Sequence, residues 1–135
     1  MLVHMGGPFW ARKEDGAWSI PKGEYAEEED PLATARREFG EELGKPVPAG
    51  PFRDLGEIRQ PGGKRVRAWA LEADLDVDEI ESNSFTIEWP RGSWRMREFP
   101  EVDRAEWFGL ATARRKLVKG QVPLLDALAE MLAPG

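Results

Sequence analysis

The chain has 135 residues, 41% of them hydrophobic, with six Trp and six Phe, which suits one core and one domain over residues 1–135. A net charge of −6 argues against a duplex nucleic-acid binder, because a phosphate backbone attracts basic surfaces. No apolar run approaches the roughly 20 residues that span a bilayer, and the absence of cysteine removes disulfides, thiol nucleophiles and thiolate metal sites.

Residues 1–5 read as a short strand, closed by a Gly6-Gly7-Pro8 turn. They carry neither the basic region nor the apolar length of a signal peptide, which together with the lack of cysteine fits a cytoplasmic protein. Residues 9–15 read as a loop and 18–21 as a second extended piece. After the loop 23–29, Asp30 is a good N-cap and Pro31 suits the first helical position, where a missing N–H costs nothing. Leu32, Ala35, Phe39 and Leu43 then recur at helical spacing, and Gly44 and Pro46 end the helix. Beyond a Pro/Gly connection, residues 52–59 suggest a strand and 61–63 a turn. Residues 64–75 give the clearest strand, with Val66, Ala68 and Ala70 alternating against Arg65, Arg67 and Trp69. Phe85, Ile87 and Trp89 alternate as another strand, and residues 106–108 are short and extended. Two helices follow, over about 110–119 and 123–132.

The chemistry concentrates on the first helix. Glu38, Glu41 and Glu42 sit at i, i+3 and i+4, so they share one face beside the apolar stripe. Three crowded carboxylates repel one another unless a cation is present. Oxygen ligands without nearby His or Cys favour Mg²⁺ or Mn²⁺ over zinc, and Mg²⁺ readily accepts phosphate oxygens from a substrate. Taken alone, such a face reads equally as a solvated acidic surface. The upstream spacing argues otherwise: Gly23, five residues, Glu29, seven residues, then Arg37-Glu38-Phe39-Gly40-Glu41-Glu42-Leu43-Gly44.

That run matches G-x5-E-x7-R-E-U-x-E-E-x-G-U, where U is bulky and apolar, at every fixed letter; only Lys45 departs, at the last position. The chain therefore resembles the Nudix (MutT-like) hydrolases, which cleave nucleoside diphosphates linked to another moiety. Longer runs, such as Gly6-Gly7-Pro8-Phe9-Trp10-Ala11-Arg12-Lys13, resemble small bacterial Nudix proteins described as predicted nucleoside triphosphate pyrophosphohydrolases.

The resemblance implies an α/β/α sandwich around a mixed β-sheet and a Mg²⁺-dependent (or Mn²⁺-dependent) pyrophosphohydrolase. It implies metal binding by Glu38, Glu41, Glu42 and the backbone carbonyl of Lys22, with Arg37 and Glu29 organising the carboxylates. Trp18-Ser19-Ile20-Pro21-Lys22-Gly23 resembles the W-x-x-P-K-G of relatives acting on dinucleoside polyphosphates, so the implied substrate is a nucleotide or dinucleotide polyphosphate. The bland alternative is a Pro-Gly turn with a solvated lysine. Glu28 replaces a glycine common in the family's loop. A distal carboxylate is also implied: Glu101, six residues before Trp107, with Glu98 and Glu88 as competitors and an exposed acidic loop as the alternative. The expected catalytic group is thus Glu41, Glu101, Arg37 and Glu29, with a carboxylate deprotonating the attacking water. A non-catalytic nucleotide sensor is the rival outside the enzyme class.

Arg65, Arg67 and Trp69 share a strand face and could grip phosphates and stack a base, or could equally form a solvated sheet face. Phe9-Trp10 and the residue 89–94 loop could wall a base, although aromatic rings more often fill cores. His4, the only histidine, reads as structural. Nudix domains usually begin one strand earlier than residues 2–4. Either the first strand is absent, or the protein starts upstream, or a partner chain covers the edge, as in a homodimer. Leu2 and Val3 are accordingly expected at a sheet margin.

Overall fold

The first helix forms as its end signals require. In the computed structural model, which describes residues 1–22, 28–60 and 62–133, α1 spans Pro31–Leu43. The Asp30 carboxylate accepts from the Leu32 amide at 3.3 Å, capping an otherwise orphan donor. Gly44 ends the helix in the left-handed region at φ 70°, and a Cβ there would lie 2.5 Å from the Glu81 carbonyl. The closeness is used: Glu81 N–H donates to Leu43 and Asn83 N–H to Glu41, clamping the end of α1 to the segment entering the later strands.

The remaining elements are β1 (Leu2–Met5), β2 (Trp18–Ser19), β3 (Arg53–Arg59), β4 (Arg65–Ala70), β5 (Ser84–Glu88), β6 (Met96–Pro100), β7 (Val102–Glu106), α2 (Leu110–Lys116) and α3 (Val122–Leu132). A 3₁₀ turn, Lys119–Gln121, joins the last two helices. This is the α/β class expected. The strands form three antiparallel sheets, β2-β1-β7, β3-β4 and β5-β6; among the described residues the parallel component is one bridge between Trp18 and Leu117. No described helix is long and apolar enough to cross a membrane.

Strand β1 organises the layers because its neighbouring side chains point to opposite faces. Leu2 packs with Ala17, Trp18, Ala113, Leu117 and Leu125, towards α2 and α3. Val3 packs with Leu43, Val102 and Ala105, with Phe39 of α1 against them. One strand thus feeds a core on each side, which is the physical content of a helix–sheet–helix sandwich.

Three expectations change. Residues 2–5 are not a sheet margin: β7 pairs with Leu2, Val3, His4 and Met5, and β2 covers the other side, so the exposed-edge argument for a missing strand fails. The strand expected to reach residue 75 ends at Ala70, and 71–83 runs without regular structure along α1 and β7. Strands β6 and β7, not marked in the sequence, occupy the region where an exposed acidic loop stood as the alternative. Of the α1 stripe, Leu43 is fully buried, while Leu32, Ala35 and Phe39 are half-buried and line an apolar cleft of about 920 Å³.

His4 is structural. Its ring is fully buried, with Nδ1 2.7 Å from the Asp103 carboxylate and Nε2 2.7 Å from the Lys13 carbonyl. It thereby ties β1 to β7 and to the loop before β2.

Candidate active site

Helix α1 presents Glu38, Glu41 and Glu42 half-buried on the side away from Leu43. Their environments differ. Glu42 accepts a hydrogen bond from the Lys22 backbone N–H at 3.2 Å. Burial pushes its carboxyl up to about 8, the charges of Glu38 and Glu101 add to the rise, and the Lys22 amide and ammonium oppose it. Glu38 is also raised, by burial first and then by Glu41 and Glu101, against the pull of Arg37 and Lys22. Both shifts rest first on burial, and the neighbouring carboxylates add to them.

Arg37 braces the group. Its Nη1 lies 3.2 Å from Glu41 and 3.4 Å from Glu38, and its Nη2 lies 4.0 Å from Glu29. Thr34, buried in the first turns of α1, donates to the same Glu29 at 3.2 Å. The guanidinium is half exposed, so these contacts orient the carboxylates more than they stabilise the fold. Gly23 lies outside the described residues.

Glu101 occupies the bend between β6 and β7. Its carbonyl accepts from Gly6 N–H and its own N–H donates to Asn83, both at 2.8 Å, which pins it between β1 and the clamp on α1. Its charge reaches both Glu38 and Glu42. The competitors sit elsewhere: Glu98 pairs across β5–β6 with Thr86, and Glu88 accepts from the Gly92 amide at the hairpin end.

The strand cations are not gathered with the carboxylates. Arg67 is ion-paired with Asp54 of β3 and lies over the Trp69 ring at 5.6 Å. Arg67 and Trp69 line the apolar cleft together with Lys22; Arg65 stands opposite Arg59 on β3 and is not part of that lining.

Sequence reasoning missed Gln121. It is fully buried; its Oε1 accepts from Ile20 N–H and its Nε2 donates to Ser19 Oγ, each at 2.9 Å, fixing the segment that delivers Lys22. A lone polar residue ahead of an apolar helix carries no period or spacing that would mark it.

The donor chemistry fits a hard divalent cation: it is oxygen-only, crowded and short of positive charge. Among the described residues, however, no three such groups converge as a ligand set, and Arg37 stands between Glu38 and Glu41.

The Glu42 shift has a measurable consequence. An ordinary glutamate ionises near 4.5, whereas Glu42 holds its proton up to about 8. The fold therefore binds a proton that the unfolded chain releases, so this stability is present at acid pH and lost as pH rises from about 4.5 through about 8. In EDTA, the melting temperature should fall between about pH 5 and pH 8, and Glu42→Gln should flatten that fall. An equal slope in the variant would remove Glu42 as its cause.

A family model described as NUDIX domain matches residues 2–128. No curated protein and no solved structure is significantly similar to the chain.

Proposed function

The chain belongs to the Nudix family, whose hydrolases act on pyrophosphate bonds, and on that premise we propose that it is a Mg²⁺-dependent (or Mn²⁺-dependent) pyrophosphohydrolase of nucleoside di- and triphosphate derivatives. The observation that carries the reading is the crowding of Glu38, Glu42 and Glu101 around Lys22, with Glu42 pushed up to about 8. A solvated acidic face would not hold a carboxyl so far above its ordinary range.

Glu38, Glu41, Glu42 and the Lys22 carbonyl would hold the cation, which when bound supplies positive charge for phosphate oxygens and acidity for water. The chain's own groups do the rest. The Lys22 ammonium meets phosphate oxygens that would otherwise face three carboxylates. Arg37 and Glu29 keep the carboxylates oriented. Glu101, exposed and anchored through its backbone, accepts a proton from the attacking water. The water oxygen bonds to phosphorus, the bridging P–O bond breaks, and two phosphate products leave.

Substrate should disappear with Mg²⁺ and survive with EDTA across a panel of nucleoside triphosphates, nucleoside diphosphate derivatives and dinucleoside polyphosphates read by chromatography. Reaction in ¹⁸O water should place the label on one product and identify the phosphorus attacked. Tight nucleotide binding without turnover, in both Mg²⁺ and Mn²⁺, would leave a sensor rather than an enzyme.

A further inference from the structure

We infer that Phe9 and Trp89 form the subsite that stacks the aromatic base of the substrate; this rests on the pyrophosphohydrolase reading, which places the phosphates at the α1 carboxylates. The two rings meet edge-to-face, with centroids 5.4 Å apart and planes at 73°. Phe9 is 56% exposed, so much of the ring stays in water. Its neighbour Trp10 packs against the core formed with Trp18, so the two adjacent aromatics have divided roles.

Backbone contacts tie this pair to the carboxylates. Gly6 donates to the Glu101 carbonyl, and a Cβ on Gly6 would lie 1.9 Å from the Pro100 carbonyl oxygen. Gly7, at φ +95°, lies so close to Phe85 that a Cβ would stand 2.7 Å from the ring. The loop carrying Phe9 is therefore wedged between Glu101 and β5, and Trp89 directly follows β5. Both glycines are required by these approaches.

The hairpin end beyond Trp89 is built rather than loose. Trp89 N–H donates to Arg95, Ser93 N–H to Pro90 and Gly92 N–H to Glu88. Within it Trp94 sits at φ 62°, an uncommon conformation for a bulky residue, and the residue is 89% exposed. Water-facing aromatic rings held this firmly suit a planar ligand. The same hairpin carries Arg91, Arg95 and Arg97 against Glu88 and Glu98, a positive balance that suits a ligand bearing phosphate. Stacking is tolerant of base identity, since every base has a π face, so the class recognised is a purine or pyrimidine base.

The test uses the full chain. In EDTA, millimolar AMP or GMP should shift the Trp89 indole N–H resonance, identified by its loss in Trp89→Phe. Phe9→Ala should abolish that shift and Phe9→Tyr should retain it, with melting temperatures unchanged because Phe9 is exposed. With Mg²⁺, Phe9→Ala should raise the KM of the cleaved nucleotide about tenfold, the scale of one base–aromatic stack. An absent shift in the wild-type protein, or one undiminished in Phe9→Ala, overturns the subsite. If no nucleotide is turned over, the hydrolase reading has failed, and the AMP and GMP titrations still decide the subsite.

Discussion

Glu42→Gln should fold as well as the wild-type protein and lose at least tenfold to a hundredfold in kcat/KM, the scale for groups that organise a metal. Burial already favours the protonated carboxyl of Glu42, and a glutamine amide copies its shape and neutrality while still accepting from the Lys22 N–H. Structure and charge are thereby separated. A fold indifferent to the change alongside collapsed activity means that the ionised carboxylate is needed only in the working site. Glu41→Gln should show the same loss for a different reason. It surrenders one end of the Arg37 contact at 3.2 Å, leaving the guanidinium to Glu38 and Glu29. Steady-state kinetics with Mg²⁺, beside thermal melts in EDTA, reads both quantities. Activity within about twofold of wild type in both variants would remove these residues from the site.

The helix that carries these groups was legible because every signal for it is local. A cap, a proline, a stripe at 3.6-residue spacing and a terminal glycine act within one segment, and the structure uses all four. The strands after residue 90 were not legible for the converse reason. Along β6 only Phe99 is even half-buried, so no hydrophobic alternation exists to read; the strand is held by backbone pairing to β5 across the hairpin, which leaves no mark in its own side chains. The position of β1 was misjudged similarly. Its four residues cannot reveal that β7, about a hundred residues later, lies beside them. The carboxylate spacing was visible, but its electrostatics were not. The rise of Glu42 comes first from burial, with Glu38 and Glu101 adding to it; Glu38 is visible on a helical wheel, but the burial and Glu101 are not. Likewise, the pairing of Arg67 with Asp54 was not legible, because that partner lies across a strand pair rather than along the chain.

Trp18→Ala should cost about 3–5 kcal/mol of stability, the range for truncating a large buried aromatic, and that is a large part of the roughly 5–15 kcal/mol a domain commands. Trp18 is fully buried, edge-on to Phe108 at 4.9 Å and to His4 at 5.1 Å, with the Arg104 guanidinium 5.1 Å from its ring centre. Its backbone carbonyl accepts from Val118 at 2.9 Å, locking β2 to the end of α2. In the run from Trp18 to Gly23, the tryptophan therefore serves the core, and Lys22 is the residue that reaches the carboxylates. Trp18→Phe isolates the packing term. It keeps most of the ring contact and removes an indole N–H that is buried without a partner among the described residues, a group whose burial costs about 1–3 kcal/mol. Urea denaturation should thus show a large fall in midpoint for Trp18→Ala and a small one, or none, for Trp18→Phe. A Trp18→Ala protein of unchanged midpoint but sharply raised KM would mean that the ring meets substrate directly. The run would then be a recognition element along its whole length rather than a core anchor with a lysine at its end.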